Sequence, residues 1–166
     1  RVWKGGKPMG PLVERLETGY REMLGLYEQL LVSGNSMAKH LEVDGWEAVS
    51  QELCAKQAIM DKIDEREKKL SELRLDLQKH MGLEIFSLSA LEERFPATVL
   101  GNTLRQLMGV IEKLQVQEQD NEERLRQMVD GVQLQMEDLQ KTKRAAKAYQ
   151  PGSSLYGDAR FVDETK

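Results

Sequence analysis

Leu16, Tyr20, Met23, Tyr27, Leu30, Gly34, Met37 and Leu41 alternate spacings of four and three residues. That spacing keeps every member on one seam of a helix and is the condition for coiled-coil packing, so it predicts one helix over about 12–42. Gly34 interrupts the seam, with Ser33, Asn35 and Ser36 around it. A glycine costs roughly 1 kcal/mol inside a helix, so its presence marks a kink or a close approach by another helix. Asp44-Gly45-Trp46-Glu47 reads as a capping signal, after which a second helix over about 45–80 carries Trp46, Val49, Leu53, Ile59, Met60, Ile63, Leu70, Leu73 and Leu77 as its apolar face. So short a link forces an antiparallel hairpin.

Gly82 ends the second helix, and Ser89-x-x-Glu92 opens a connector helix near 90–94, ahead of Phe95-Pro96. A third long helix then runs over about 97–149. Its seam begins at Leu100, Leu104, Leu107, Ile111 and Leu114, turns polar at Glu118 and Asn121, and resumes at Leu125, Met128, Val132, Met136 and Leu139. At about 1.5 Å per residue it would measure about 75–80 Å, against about 45–55 Å for the hairpin helices. An apolar stripe that outruns its own bundle requires another cover, and methionines adapt to irregular partners. Leu125, Met128, Val132, Met136 and Leu139 are therefore the candidate partner-binding residues. A charge at Met128 or Val132 is expected to abolish partner binding and leave the helix intact.

The expected fold is all-α, an elongated antiparallel helical bundle with three main helices, the last longest, and a short connector helix. Prolines at 8, 11, 96 and 151 bound its segments: residues 1–11 read as a disordered leader, 12–149 as the bundle and 150–166 as a flexible tail. Composition agrees with long charged helices, since the 166 residues include 31% charged and only 5% aromatic side chains.

Candidate chemistry is sparse. With 24 Lys+Arg against 28 Asp+Glu the chain is mildly acidic, which argues against a general polyanion binder. The basic cluster Lys141, Lys143, Arg144 and Lys147 is explained by stabilisation of a helix C-terminus. His40 and His80 fall near the ends of helices one and two, at opposite ends of a hairpin, where a nucleophile–base pair is not formed. Cys54, the only cysteine, reads as a small packing residue. No glycine-rich phosphate loop, metal-ligand spacing or cofactor motif is present in the sequence, so an enzyme is not expected. No apolar stretch reaches the ~18 residues of a membrane span, and no signal peptide is evident. The expectation is a cytoplasmic protein that binds neither nucleic acid nor membrane.

Three segments carry a family resemblance. They are Leu41-x-x-Asp44-x-Trp46 with Lys56, Ile59, Met60 and Ile63; Gln117-Glu118-Gln119-Asp120-Asn121 followed by Leu125; and Ala148-Tyr149-Gln150-Pro151 with Arg160-Phe161-Val162-Asp163-x-x-Lys166. On these the chain resembles, over about residues 12–166, the FlgN-type flagellar export chaperones. The resemblance implies clients among the hook-associated (hook–filament junction) proteins, bound by their C-terminal segments along the last helix. It further implies delivery to the flagellar type III export gate, with Tyr149, Phe161, Val162 and Asp163 as a tail motif. The same seam would also serve a self-associating coiled-coil scaffold or homodimer, or a chaperone for another flagellar subunit.

Overall fold

The computed structural model describes residues 9–95 and 99–149. These residues form four helices, α1 (Met9–Glu42), α2 (Trp46–Met81), α3 (Leu88–Arg94) and α4 (Leu100–Ala148), and no strand occurs among them. The fold is the expected all-α bundle, with the 49-residue α4 longer than α1 or α2, at 34 and 36 residues. The chain divides into two compact units, one ending at Leu125 and one beginning at Arg126.

In the first unit, α1 starts earlier than expected. Gly10 and Pro11, assigned to a leader, are helical. A proline fits the first turn because its missing N–H would have no intrahelical partner there, and Leu12 and Val13 are buried directly after it, at 4% and 3% exposure. The remaining leader positions, 1–8, lie outside the described residues. Along α1 the seam behaves as its spacing demands: Leu16, Tyr20, Met23, Leu30, Met37 and Leu41 are buried, and Tyr27 is half-buried.

Cross-links between side chains fix the helix directions. Arg74 Nη1 donates to Tyr20 Oη at 2.7 Å, Arg66 pairs with Glu22 at 2.6 Å, and Ser33 Oγ donates to Glu52 at 2.7 Å. Positions rise on α1 as they fall on α2, so the hairpin is antiparallel. Between α1 and α4 the order runs the same way on both: the Val99 N–H donates to Glu17 at 3.1 Å, Gln117 to Asn35 at 2.6 Å and Arg124 to Glu42 at 3.0 Å. Up to Leu125, α4 is therefore parallel to α1 and antiparallel to α2.

The α2 face departs from expectation. Val49, Lys56, Ile63, Leu70 and Leu77, seven residues apart, take the core positions. Trp46, Leu53 and Met60, also seven apart, flank that row and stay 43%, 43% and 47% exposed. Each leucine fully buried in this core contributes about 1.5–3 kcal/mol, whereas the flanking apolar row contributes only in part.

Two predicted caps move. Asp44 adopts a left-handed backbone, φ 51°, and the α2 N-cap, Gly45, receives no side-chain hydrogen bond. With Asp44 turned into the link, its carbonyl, rather than its carboxylate, accepts from the Trp46 N–H at 3.0 Å. At α3 the cap is Ser87, whose hydroxyl accepts from the Ala90 N–H at 3.4 Å, two residues before the expected Ser89. Gly82 ends α2 as expected: at φ 65° its N–H donates to Lys79 O at 3.2 Å while Leu83 donates to Gln78 O at 3.1 Å, the paired bonds of a left-handed helix terminus. α4 begins at Leu100 rather than at 97, and residues 96–98 lie outside the described residues.

Candidate partner-binding surface

Gly34 is the close approach that its position in the seam suggested. The Gln117 side chain of α4 lies where a β-carbon on Gly34 would stand. From there its Nε2 donates to Leu31 O at 3.0 Å and to Asn35 Oδ1 at 2.6 Å. One turn on, Asn121, 1% exposed, donates to Gly34 O at 2.9 Å. Lys56 of α2, 6% exposed in the core row, pairs with Glu118. The polar interruption of the α4 seam is thus a layer joining all three long helices. Its Gln117 Oε1 is buried with no hydrogen-bond partner among the described residues. Lys56 could not be found by hydrophobic periodicity, because a charged residue occupies a core position there.

At the edge of this layer Glu52 accepts from Ser36 and Ser33, and those bonds hold its carboxyl below the usual carboxylate range. An apolar cleft of about 280 Å³ opens beside the layer, lined by Tyr27 and Leu30 of α1, Met60 and Ile63 of α2 and Leu114 of α4, with Lys56, Asp64 and Glu118 completing the wall.

Burial of the predicted partner-binding residues is graded. Leu125, in the first unit, is half-buried. In the second unit Met128 is 8% exposed and Val132 half-buried, while Met136 and Leu139 are 57% and 61% exposed. Every residue from Gln133 to Tyr149 is exposed. At 100° per residue Val132, Met136 and Leu139 share one face, joined by Val129, an apolar residue the seam reading passed over, at 41% exposure. Leu134, 63% exposed, lies on another face. Between Val132 and Leu139 the near flanks are uncharged, at Gln133, Gln135, Gln140 and Thr142, the last donating to Asp138 O at 2.9 Å, and Lys143 and Lys147 follow Leu139 on the same face. The apolar face thus has an amide and hydroxyl border, which suits contact with another amphipathic helix.

Of the proposed tail motif, Tyr149 is 86% exposed, and Phe161, Val162 and Asp163 lie outside the described residues. Cys54 is exposed, not packed as expected, because it follows Leu53 on the outer side of α2. His40 and His80 stand in the last turns of α1 and α2, and the His80 Nδ1 lies 2.7 Å from the Asp76 carbonyl. The described residues contain no cluster of three or more metal-ligating side chains and no helix long and apolar enough to cross a membrane. Comparison with protein-family models, with curated proteins and with solved structures finds no match.

Proposed function

We propose that this chain is a cytoplasmic export chaperone of the FlgN type. It holds the C-terminal segment of a hook-associated flagellar subunit along α4 between Leu125 and Leu139 and releases it at the export gate. The observation that carries the reading is the exposure of Met136 and Leu139 on the face of α4 that continues its buried seam. The family resemblance supplies the identity of the client.

The mechanism is masking. A terminal segment with its own apolar stripe would assemble early if left free, and laying it on α4 covers both stripes. Burial yields about 25 cal/mol per Å² of apolar area before the cost of ordering the segment. The part-buried end at Leu125 and Val132 offers less new area than the exposed end at Met136 and Leu139. Affinity is therefore moderate, as a cargo that must leave requires.

Size-exclusion chromatography with light scattering, run with and without the C-terminal segment of a hook-associated protein, tests the reading. A 1:1 complex that is lost when residues 126–166 are deleted supports it. A chain that ignores that segment, and the corresponding segments of other flagellar subunits, overturns it.

A further inference from the structure

Two surfaces of this chain, one in each unit, match each other in polarity order. On α2 the outer row runs Trp46, Leu53, Met60 and then Asp64 and Glu67, apolar first and acidic after, at helical spacings of seven, seven, four and three. Met60 and Asp64 also line the 280 Å³ cleft, whose floor of Leu30, Ile63 and Leu114 is apolar. On α4 a single face runs Met136, Leu139, Lys143 and Lys147, apolar first and basic after, at spacings of three, four and four. All four are exposed.

The charge balance around each surface has the same sense. Residues 44–70 of α2 and its link carry seven acids (Asp44, Glu47, Glu52, Asp61, Asp64, Glu65, Glu67) against five cations (Lys56, Lys62, Arg66, Lys68, Lys69), of which Arg66 is paired with Glu22 and Lys69 with Glu65. The Lys56 charge is already taken by Glu118. On the other wall, residues 112–125 of α4 carry five acids against Lys113 and Arg124, and Arg124 is bonded to Glu42. Residues 139–149 carry four cations and no acid. Inside the cleft burial, with lesser contributions from Glu67 and Asp64, pushes the Tyr27 hydroxyl above its ordinary pKa.

We propose that the 136–147 face of α4 from a second copy of this chain docks on the α2–α4 groove of the first unit, running parallel to α2. Met136 and Leu139 cover Met60 and the mouth of the cleft, and Lys143 and Lys147 meet Asp64 and Glu67. Parallel order follows from the sequence of polarity, because an antiparallel segment would set its lysines against Leu53 and Trp46. Glu67 is shared with Arg74, so Asp64 is the principal acceptor. The inference rests on exposure and charge and does not require the chaperone reading.

Sedimentation velocity of the full chain across a concentration series tests it, at about 0.01 M and about 1 M salt, where the Debye length falls from about 30 to about 3 Å. The expected result is self-association that weakens at high salt. Lys143→Glu with Lys147→Glu, and separately Asp64→Lys, should each weaken it by on the order of tenfold at low salt. Mixing the two variants should restore association, since one interface then regains opposite charges. Circular dichroism guards against a folding defect, and the mixing result reports docking even if one variant is less stable. A chain monomeric at every concentration and salt overturns the proposal, as does association that both variants leave unchanged. Failure of the mixed variants to associate while each stays folded overturns it too. Client binding is read separately with the flagellar segment, so loss of one activity leaves the other measurable.

Discussion

Asn121 of α4 donates its amide to the backbone carbonyl of Gly34 of α1 at 2.9 Å from a site 1% exposed to solvent. Gly34 admits this contact because it has no side chain. The Gln117 amide occupies the space a β-carbon would need, and it is tied there by bonds to Leu31 and Asn35.

Gly34→Ala should therefore destabilise the fold. Alanine gains roughly 1 kcal/mol of helix propensity, but it displaces Gln117 from two hydrogen bonds worth about 1 kcal/mol each and strains the α1–α4 contact. A net loss of about 1–2 kcal/mol is expected in urea unfolding. Gly25→Ala, in the same helix with nothing within 4 Å of the new carbon, should instead stabilise by up to about 1 kcal/mol. Equal responses at the two glycines would remove the close-approach account.

The Lys56–Glu118 pair is unequally buried, at 8% and 44% side-chain exposure. Removing its two members should have different effects. Glu118→Ala strands a buried ammonium and should cost about 1–3 kcal/mol, below the full range for a wholly buried pair because Glu118 is already partly solvated. Lys56→Met replaces the buried cation with an apolar chain of similar length and leaves Glu118 its water, so it should change stability by less than about 1 kcal/mol. Unfolding midpoints of the two variants check the order, and a larger loss for Lys56→Met would contradict it.

Glu52 gives the bundle an acid-side dependence. The Ser36 and Ser33 hydroxyls lower its carboxyl pKa in the folded chain, so at acid pH the unfolded chain binds the proton more readily. The contribution is present above the ordinary carboxylate range of about 4 and is lost as pH falls through the lower folded value. Solvent screening keeps it below about 1 kcal/mol. Glu52→Gln should flatten the stability curve on the acid side of about pH 4 and leave it parallel to the parent curve at neutral pH. Unfolding in urea at a series of pH values checks this.

The α1 seam was legible because each of its apolar residues from Leu16 to Leu41 packs inward in strict register, and Gly34 announced a close contact by breaking that register. α2 was less so. Trp46, Leu53 and Met60 are as apolar as Ile63, but they occupy the flank of the row that Val49, Lys56 and Leu70 complete. Only the third helix decides which side of so broad a stripe is covered, and a buried lysine carries no hydrophobic signal. The Asp44 cap failed because its left-handed backbone turns the residue into the link instead of over the first turn of α2. In the partner-binding stripe, spacing identified the face but carried no information about how burial is graded along it.

That grading separates binding from stability within one stripe. Met128 is 8% exposed, whereas Met136 and Leu139 are more than half exposed. A charge at Met128 would be desolvated in the free protein, so Met128→Asp should lower the unfolding free energy by about 2–4 kcal/mol as well as affect any partner. This differs from the expectation that Met128 could be charged without harm to the helix. Met136→Asp and Leu139→Asp place their charges in water and should shift stability by no more than about 0.5 kcal/mol. In a complex the same charges would be buried against an apolar stripe, so each should weaken client binding at least tenfold, a loss of about 1.4 kcal/mol or more. Because Gln133, Gln135 and Gln140 border the face, the client affinity of the parent chain should vary less with salt than the proposed self-association. Isothermal titration with a hook-associated C-terminal segment at two salt concentrations, paired with urea unfolding of each variant, reads both quantities. Unchanged client binding in Met136→Asp and Leu139→Asp would place the contact elsewhere on the chain.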